Sequence, residues 1–265
     1  MKKTLIIFKT HFLSDYVLTE YLKVASGRPE NSDIVLYIDN HKKWFDLGST
    51  SAKTVFTFNN QQINCFLYDE NMNSELMLPN YVENGFTNDI GSVIWHNSDY
   101  PFYVTKKYFP DYDYYWSFEY DVFFNGKNYR PFFDKYNNRN EDLLSTLYRN
   151  VDNEDWFWKD GIDWVYSDIN LYGILFPAVR LSSKAIDWLL QKRLEYAEIY
   201  KNLTQPYINK SRWLFCEIFV PTELANRGFS CANIEEENVR YLPIYNLNTQ
   251  RIFENPDDKL YHPVK

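Results

Sequence analysis

A chain of 265 residues is long enough to bury a sizeable core in one large domain. Its net charge of -8, with acids and bases interspersed, argues against a dedicated nucleic-acid binder, which would carry a basic stripe. Only 8 glycines occur, none as GxGxxG or GxxxxGKS, which speaks against a Rossmann dehydrogenase or a P-loop NTPase.

The opening "MKKTLIIFKTHFLSD" has two lysines and a short apolar segment. "TLIIF" is shorter than the about 7–15 residues of a signal-peptide core, and no small-residue cleavage site follows. It reads as the first strand of a cytoplasmic protein. No apolar run approaches the roughly 20 residues of a membrane helix. Next, "FLSDYVLTEYLKVAS" places Phe12, Tyr16, Leu18, Leu22 and Val24 on a helical face. Buried strands are predicted for Asp33 to Asn40 and Ile63 to Asp69, and a further strand for Ser92 to Asn97. His41 is expected at the surface. His96, Asn97, Ser98 and Asp99 read as a helix-capping loop, with a ligand-binding site as the alternative.

A short helix is predicted from Tyr100 to Phe109, then the strand-like "DYDYYWSFEYDVFF" and a short helix in "NYRPFFDKYN". "DLLSTLYRN" suits strand or helix, and an acid-rich aromatic loop spans 150–170. "LYGILFPAVRLS" is strand-like. The clearest helix follows Ser182 or Ser183, with Ile186, Leu189, Leu190 and Leu194 on one face. "RWLFCEIFVPTELANRG" is interrupted by Pro221 and stops at Gly228. "FSCANI" suits a strand, and the tail from Asn238 has little periodicity. Strands alternating with helices predict an α/β sheet with helices on both faces, where ligands collect at the carboxyl ends of the strands. Cys65, Cys216 and Cys231 have no pairing or zinc spacing and read as buried thiols in a reducing compartment. The 23 Tyr, 20 Phe and 8 Trp suit sugar rings and nucleobases, but composition alone favours the plainer reading of an AT-rich genome that also favours Asn and Lys.

Within "YYWSFEYDVFFNG", Glu119 and Asp121 sit two apart at a predicted strand end and so point to one face. Two close carboxylates repel unless a proton or cation lies between them. Such oxygen ligands suit Mn²⁺ or Mg²⁺, which can neutralise a diphosphate leaving group. The plainer reading has one carboxylate capping the turn before Asn125-Gly126 and the other facing solvent.

The fragment "YDYYWSFEYDVFFNGKNYRPFFDKY" resembles the metal-site region of GT-A type nucleotide-sugar glycosyltransferases, in particular a bacterial and fungal group with a W-x-x-E-x-D…G…F-F-D pattern. The resemblance implies a GT-A-like mixed sheet flanked by helices, a single catalytic domain over 1–265. About 1–125 would form the nucleotide-binding half and 126–265 the acceptor side. It implies Asp121 as a direct metal ligand, with Glu119 beside it on ribose or a metal-bound water, although the usual motif has Asp at that first position. It also implies His262, in the tail "KLYHPVK", as a third ligand, the alternative being a frayed end. Glu217 in "WLFCEIFVPTELANRGF" becomes the catalytic base that an acceptor hydroxyl requires, with Glu223 as its alternative. The plainer reading of Glu217 is a salt-bridged helix residue with Arg212 as partner. His11 and Asp39, at the ends of the first two strands, are the expected donor contacts. Trp156, Trp158, Asp160 and Trp164 are the expected acceptor contacts, in a loop that also holds Asp155, Asp163 and Asp168.

The expected activity is transfer of a sugar from a UDP-sugar to a glycan or glycolipid in bacterial surface polysaccharide synthesis. The setting would be cytoplasmic, at the inner face of the membrane through peripheral association, with an inverting single displacement. Two rivals remain: a glycoside hydrolase, whose acids must flank a bond at about 5–9.5 Å, and a non-catalytic carbohydrate-binding protein.

Overall fold

The computed structural model describes residues 2–41, 51–69, 71–203, 210–235, 238–245 and 255–264. Strand β1 (Thr4–Thr10) is buried along its length, as its unbroken apolar run dictates. Helix α1 (Asp15–Gly27) follows, capped by the Ser14 hydroxyl, which accepts from Val17 N. Then come β2 (Ser32–Asp39), β3 (Lys53–Phe58), β4 (Gln61–Tyr68) and the short α2 (Asn71–Glu75). A small hairpin, β5 (Tyr81–Val82) and β6 (Gly85–Phe86), precedes helices α3 (Ile90–His96) and α4 (Tyr100–Tyr108).

Next are β7 (Tyr114–Glu119), β8 (Phe123–Phe124), α5 (Arg130–Tyr136) and β9 (Leu143–Asn150). A loop with one 3₁₀ turn at Phe157–Lys159 leads to β10 (Tyr172–Ser182) and α6 (Ser183–Lys201). Helix α7 (Cys216–Arg227) and strands β11 (Cys231–Asn233), β12 (Val239–Tyr245) and β13 (Leu260–Val264) complete the chain.

Eight strands form one sheet in the order β11-β9-β10-β7-β1-β2-β4-β3. β7, β1, β2 and β4 run parallel, so their carboxyl ends share one edge. β10 is antiparallel to β7 and carries the second half of the chain into the same sheet. Alternate residues of β1 feed two cores. Ile6 and Phe8 pack with α1 and α5, while Leu5 and Ile7 pack on the side of α3, α4, α6 and α7. The result is a mixed sheet covered on both faces.

Three expectations are corrected. Residues 92–96 belong to a helix that Asn97 caps, because Ile90, Val93 and His96 recur at helical spacing as its buried face and the Asp89 carboxylate accepts from Gly91 N. Pro221 does not interrupt α7, which runs through it; the missing proline N–H leaves the Glu217 carbonyl without its usual helical donor. The tail from Asn238 contains two strands. β13 lies between β12 and β8, parallel to the first and antiparallel to the second. Edge strand β3, with alternately exposed residues, had no counterpart among the predicted elements.

Candidate active site

A cleft of about 700 Å³ opens at the shared carboxyl edge of the parallel strands. Lys9, Thr10 and His11 line it from the end of β1, and Asp39, Asn40 and His41 from the end of β2. The end of β7 supplies Glu119, Tyr120 and Asp121. Opposite stand Gly91, Ile94 and Trp95 of α3, with Ser98 just beyond it, Phe215 and Glu217 at the start of α7, and Trp158 from the 3₁₀ turn. β13 closes one side with His262.

Strand β7 ends at Glu119, and a turn with Val122 N donating to Glu119 O (3.1 Å) carries Asp121 round beside it. The two carboxylates therefore meet through a turn rather than through strand alternation. The chain then leaves the main sheet as β8, whose pairing with β13 brings His262 to the same point. Val264 N donates to Asp121 O at 2.9 Å, fastening the last strand to the turn. His262 Nε2 lies 3.4 Å from Asp121 Oδ1 and 3.9 Å from Glu119 Oε2. One ligand atom from each of the three residues falls within 4.8 Å of the others.

These residues fit a hard divalent ion. Two carboxylates and an imidazole are a suitable donor set. Asp121 is 8% exposed and its Oδ1 has no hydrogen-bond partner among the described residues, an orphaned acceptor of the kind a cation satisfies. Lys9, register partner of Glu119 on the neighbouring strand, sets its ammonium 3.3 Å from Glu119 Oε1. Glu119 thus faces a lysine on one side and the Asp121–His262 pair on the other.

Glu217 sits in the first turn of α7, half-buried at the cleft wall. Its Oε1 accepts from Phe176 N at 3.1 Å and its Oε2 from Trp158 Nε1 at 3.0 Å. Loss of water raises its carboxyl pKa to about 8; these two donors oppose the rise and the charge of Glu119 adds to it. Arg212 is not its partner, pairing instead with Glu83 at 3.0 Å. Glu223 lies outside the cleft lining, six residues on along α7, accepting from the hydroxyls of Tyr166 and Tyr196, both at 2.7 Å.

Among the other sequence candidates, His11 lines the cleft with its ring edge-on to Phe12 and Tyr120. Asp39 is there with His41, whose Nδ1 lies 2.8 Å from Asp39 Oδ1. His41 is thus a cleft residue with its side chain 14% exposed, not the surface residue expected. Of the four loop residues, Trp158 lines the cleft, and Trp156, Asp160 and Trp164 do not. Trp156 packs over Gly173, and Trp164 donates to Arg212 O at 2.9 Å. His96, Asn97 and Asp99 are buried in the core. Asp99 forms a fully buried pair with Arg193, and Asn97 accepts from Trp213 Nε1 at 2.9 Å.

Lys9, His41, Gly91, Trp95 and Phe215 are cleft residues that sequence reasoning passed over. A lysine ending a buried strand was the one local signal for Lys9. The helical recurrence of Ile90, Val93 and His96 would have revealed the opposite face, on which Gly91 and Trp95 stand.

No protein-family model matches the sequence, and no curated protein does. Among solved structures, mouse xyloside xylosyltransferase 1 in its apo form aligns with a TM-score of 0.50, covering 98% of this chain and 97% of that chain at 11% identity. The fold is GT-A-like. In this GT-A-like fold the acidic turn lies at the carboxyl end of a central parallel strand, and both halves of the chain build the one sheet around it. No described helix is long and apolar enough to cross a membrane.

Proposed function

We infer that the protein is a metal-dependent glycosyltransferase that moves a sugar from a UDP-sugar to a glycan or glycolipid acceptor by inverting displacement. The observation that carries this reading is the Glu119–Asp121–His262 cluster, with its ligand atoms within 4.8 Å, facing Glu217 across one cleft of a GT-A-like fold. Mn²⁺ or Mg²⁺ held there supplies charge neutralisation for the departing nucleotide diphosphate.

The protein's own groups do the rest. Asp121 and His262 hold the ion, and Glu119 completes the set while its other oxygen keeps Lys9 in place. His11, Asp39 and His41, at the strand ends, receive the nucleotide. Glu217 takes the proton of the acceptor hydroxyl as its oxygen bonds to the anomeric carbon and the bond from that carbon to the diphosphate breaks. A base with a pKa near 8 is well matched to a hydroxyl nucleophile near neutral pH. Apart from His262 at the ion and the α3 face of the cleft, about 1–125 form the nucleotide-binding half and 126–265 the acceptor side. The resemblance of the Trp116–Asp134 stretch supports a setting in bacterial surface polysaccharide synthesis, at the cytoplasmic side of a membrane.

Calorimetric titration with UDP, GDP and CMP, each with and without Mn²⁺, tests the reading. The expected result is metal-dependent binding of UDP that disappears in Asp121→Asn. Absence of nucleotide binding under every condition would sink it, and glycoside cleavage without metal or nucleotide would move the assignment to a hydrolase.

A further inference from the structure

Helix α3 runs along the cleft with a split character. Ile90, Val93 and His96 are buried in the core, while Gly91 and Trp95 look into the cleft. Four residues apart, those two stand on one helical face, about 6 Å from each other along the axis. At the Gly91 end the helix backbone meets His41: a Cβ on Gly91 would lie 2.9 Å from His41 Cε1. At the other end Trp95 is 64% exposed, yet it is not loose. Its ring stands edge-on to Phe215 at 5.3 Å and to Trp158 at 6.1 Å. Those two rings are themselves stacked at 3.6 Å, and the indole N–H of Trp158 donates to Glu217.

Single exposed apolar residues are ordinary, and Met77 and Phe86 are examples outside the cleft. Trp95 differs in being held by two aromatic edges inside a concave site, with a broad apolar surface left to the solvent of that site. Trp158 is half-buried with one face covered by Phe215, whereas Trp95 is among the exposed large side chains, so most of the open aromatic surface here belongs to Trp95. The His96 ring also packs on Trp158 and Phe215 but is buried, and the polar group of this cluster that lines the cleft is the Glu217 carboxylate. A flat apolar plate beside a proton acceptor matches a pyranose, whose ring C–H groups need an apolar surface and whose rim hydroxyls need a carboxylate.

We propose that Trp95 is the platform on which a pyranose ring of the acceptor stacks, presenting its nucleophilic hydroxyl to Glu217. This assignment rests on the transferase reading for the role of Glu217, and it names the part of the acceptor that the cleft holds. A platform that is rigid before binding loses little side-chain freedom when the sugar arrives. The donor is placed at the opposite end of α3, by Gly91 and His41.

The experiment uses the intact protein with UDP and Mn²⁺ present and a panel of methyl α- and β-pyranosides of glucose, galactose, mannose and xylose. Saturation-transfer NMR reads ring C–H contacts, and parallel calorimetry reads UDP affinity in wild type, Trp95→Ala and Trp95→Phe. We expect at least one glycoside to receive saturation on its ring C–H protons in wild type. Affinity should fall about tenfold or more in Trp95→Ala and stay within about threefold in Trp95→Phe, with UDP affinity unchanged throughout. Glycoside binding retained in Trp95→Ala, no binding of any panel member to wild type, or a matching fall in UDP affinity would each overturn the platform. If UDP fails to bind wild type while glycoside binding still depends on Trp95, the transferase reading falls and the carbohydrate platform stands.

Discussion

His262 Nε2 lies 3.4 Å from Asp121 Oδ1, although nearly the whole second half of the chain separates the two residues. The contact exists because β8 leaves the main sheet directly after the acidic turn and pairs with β13. An acidic turn and a distant histidine thereby become one candidate metal centre.

Asp121→Asn separates the metal role from a folding role. Asp121 Oδ1 is buried with no hydrogen-bond partner among the described residues, but it lies 3.4 Å from His262 Nε2 and beside a second carboxylate, so removing its charge sheds an attraction and a repulsion together. We expect the metal-free melting midpoint to stay within about 2 °C of wild type. The rise on adding Mn²⁺ with UDP should vanish. Thermal-shift curves with and without the ion check both halves, and a mutant that keeps its metal response would remove Asp121 from the ligand set.

Glu217 gives a prediction with a defined sign. Its folded-state pKa, about 8, stands above its ordinary value of 4.5, so the native state holds the proton longer than the unfolded chain does. Its contribution to stability is therefore fully present below pH 4.5 and declines as pH rises towards 8. Glu217→Gln should match wild type at pH 5 and exceed it at pH 9 by about 1–2 kcal/mol, while abolishing transfer. Urea denaturation at the two pH values provides the measurement.

Trp158→Phe keeps a ring to stack on Phe215 and removes the N–H that steadies the ionised form of Glu217. The acid limb of the kcat/KM profile should move to higher pH by about half a unit to one unit. An unshifted limb with lower activity throughout would make Trp158 a packing residue only.

Asp99 and Arg193 form a fully buried pair at 2.8 and 2.9 Å, and Arg193 also donates to Leu214 O at 2.8 Å. Removing one partner strands the other's charge. Arg193→Met should cost about 3–5 kcal/mol in chemical denaturation. Because Leu214 precedes the Phe215–Glu217 stretch, the loss should also reach the cleft, seen as a lowered kcat at temperatures where the protein remains folded.

Gly91→Ala places a methyl 2.9 Å from His41 Cε1 and 3.1 Å from its Nε2. The imidazole must shift away, disturbing its contact with Asp39. UDP affinity should drop about threefold to tenfold, with stability altered by less than about 1 kcal/mol. Calorimetry beside a melting curve distinguishes this from a general loss of fold.

The parallel centre of the sheet was legible in the sequence because buried strands such as "TLIIFKT" are continuous apolar runs, which need no partner information to recognise. The acidic pair was legible for the same reason, since charge stands out at the end of such a run, but the turn that joins it was not, because strand alternation predicts the same proximity. Helix α3 was not. Seven residues give one buried stripe of Ile90, Val93 and His96, and the β-branched and aromatic residues between them imitate a strand. Nor could local pattern place β13, whose five residues make sense only against β8 and β12. The three loop tryptophans predicted as acceptor residues looked alike in the sequence, and only tertiary packing separates Trp158 at the cleft from Trp156 and Trp164 outside its lining.

The attachment of β13 gives the cleft an order of assembly. Glu119 and Asp121 can come together as soon as β7 and its turn have formed, but the imidazole arrives only when the last strand closes a loop spanning more than half the chain. Closing so long a loop costs entropy that local turns do not. An ion bound at this candidate centre would be thermodynamically linked to the strand: whatever tightened the ion would also hold the strand, and the reverse, by the same factor. Amide exchange at Val264, whose N–H donates to Asp121 O, would then be a local gauge of metal occupancy, readable without substrate.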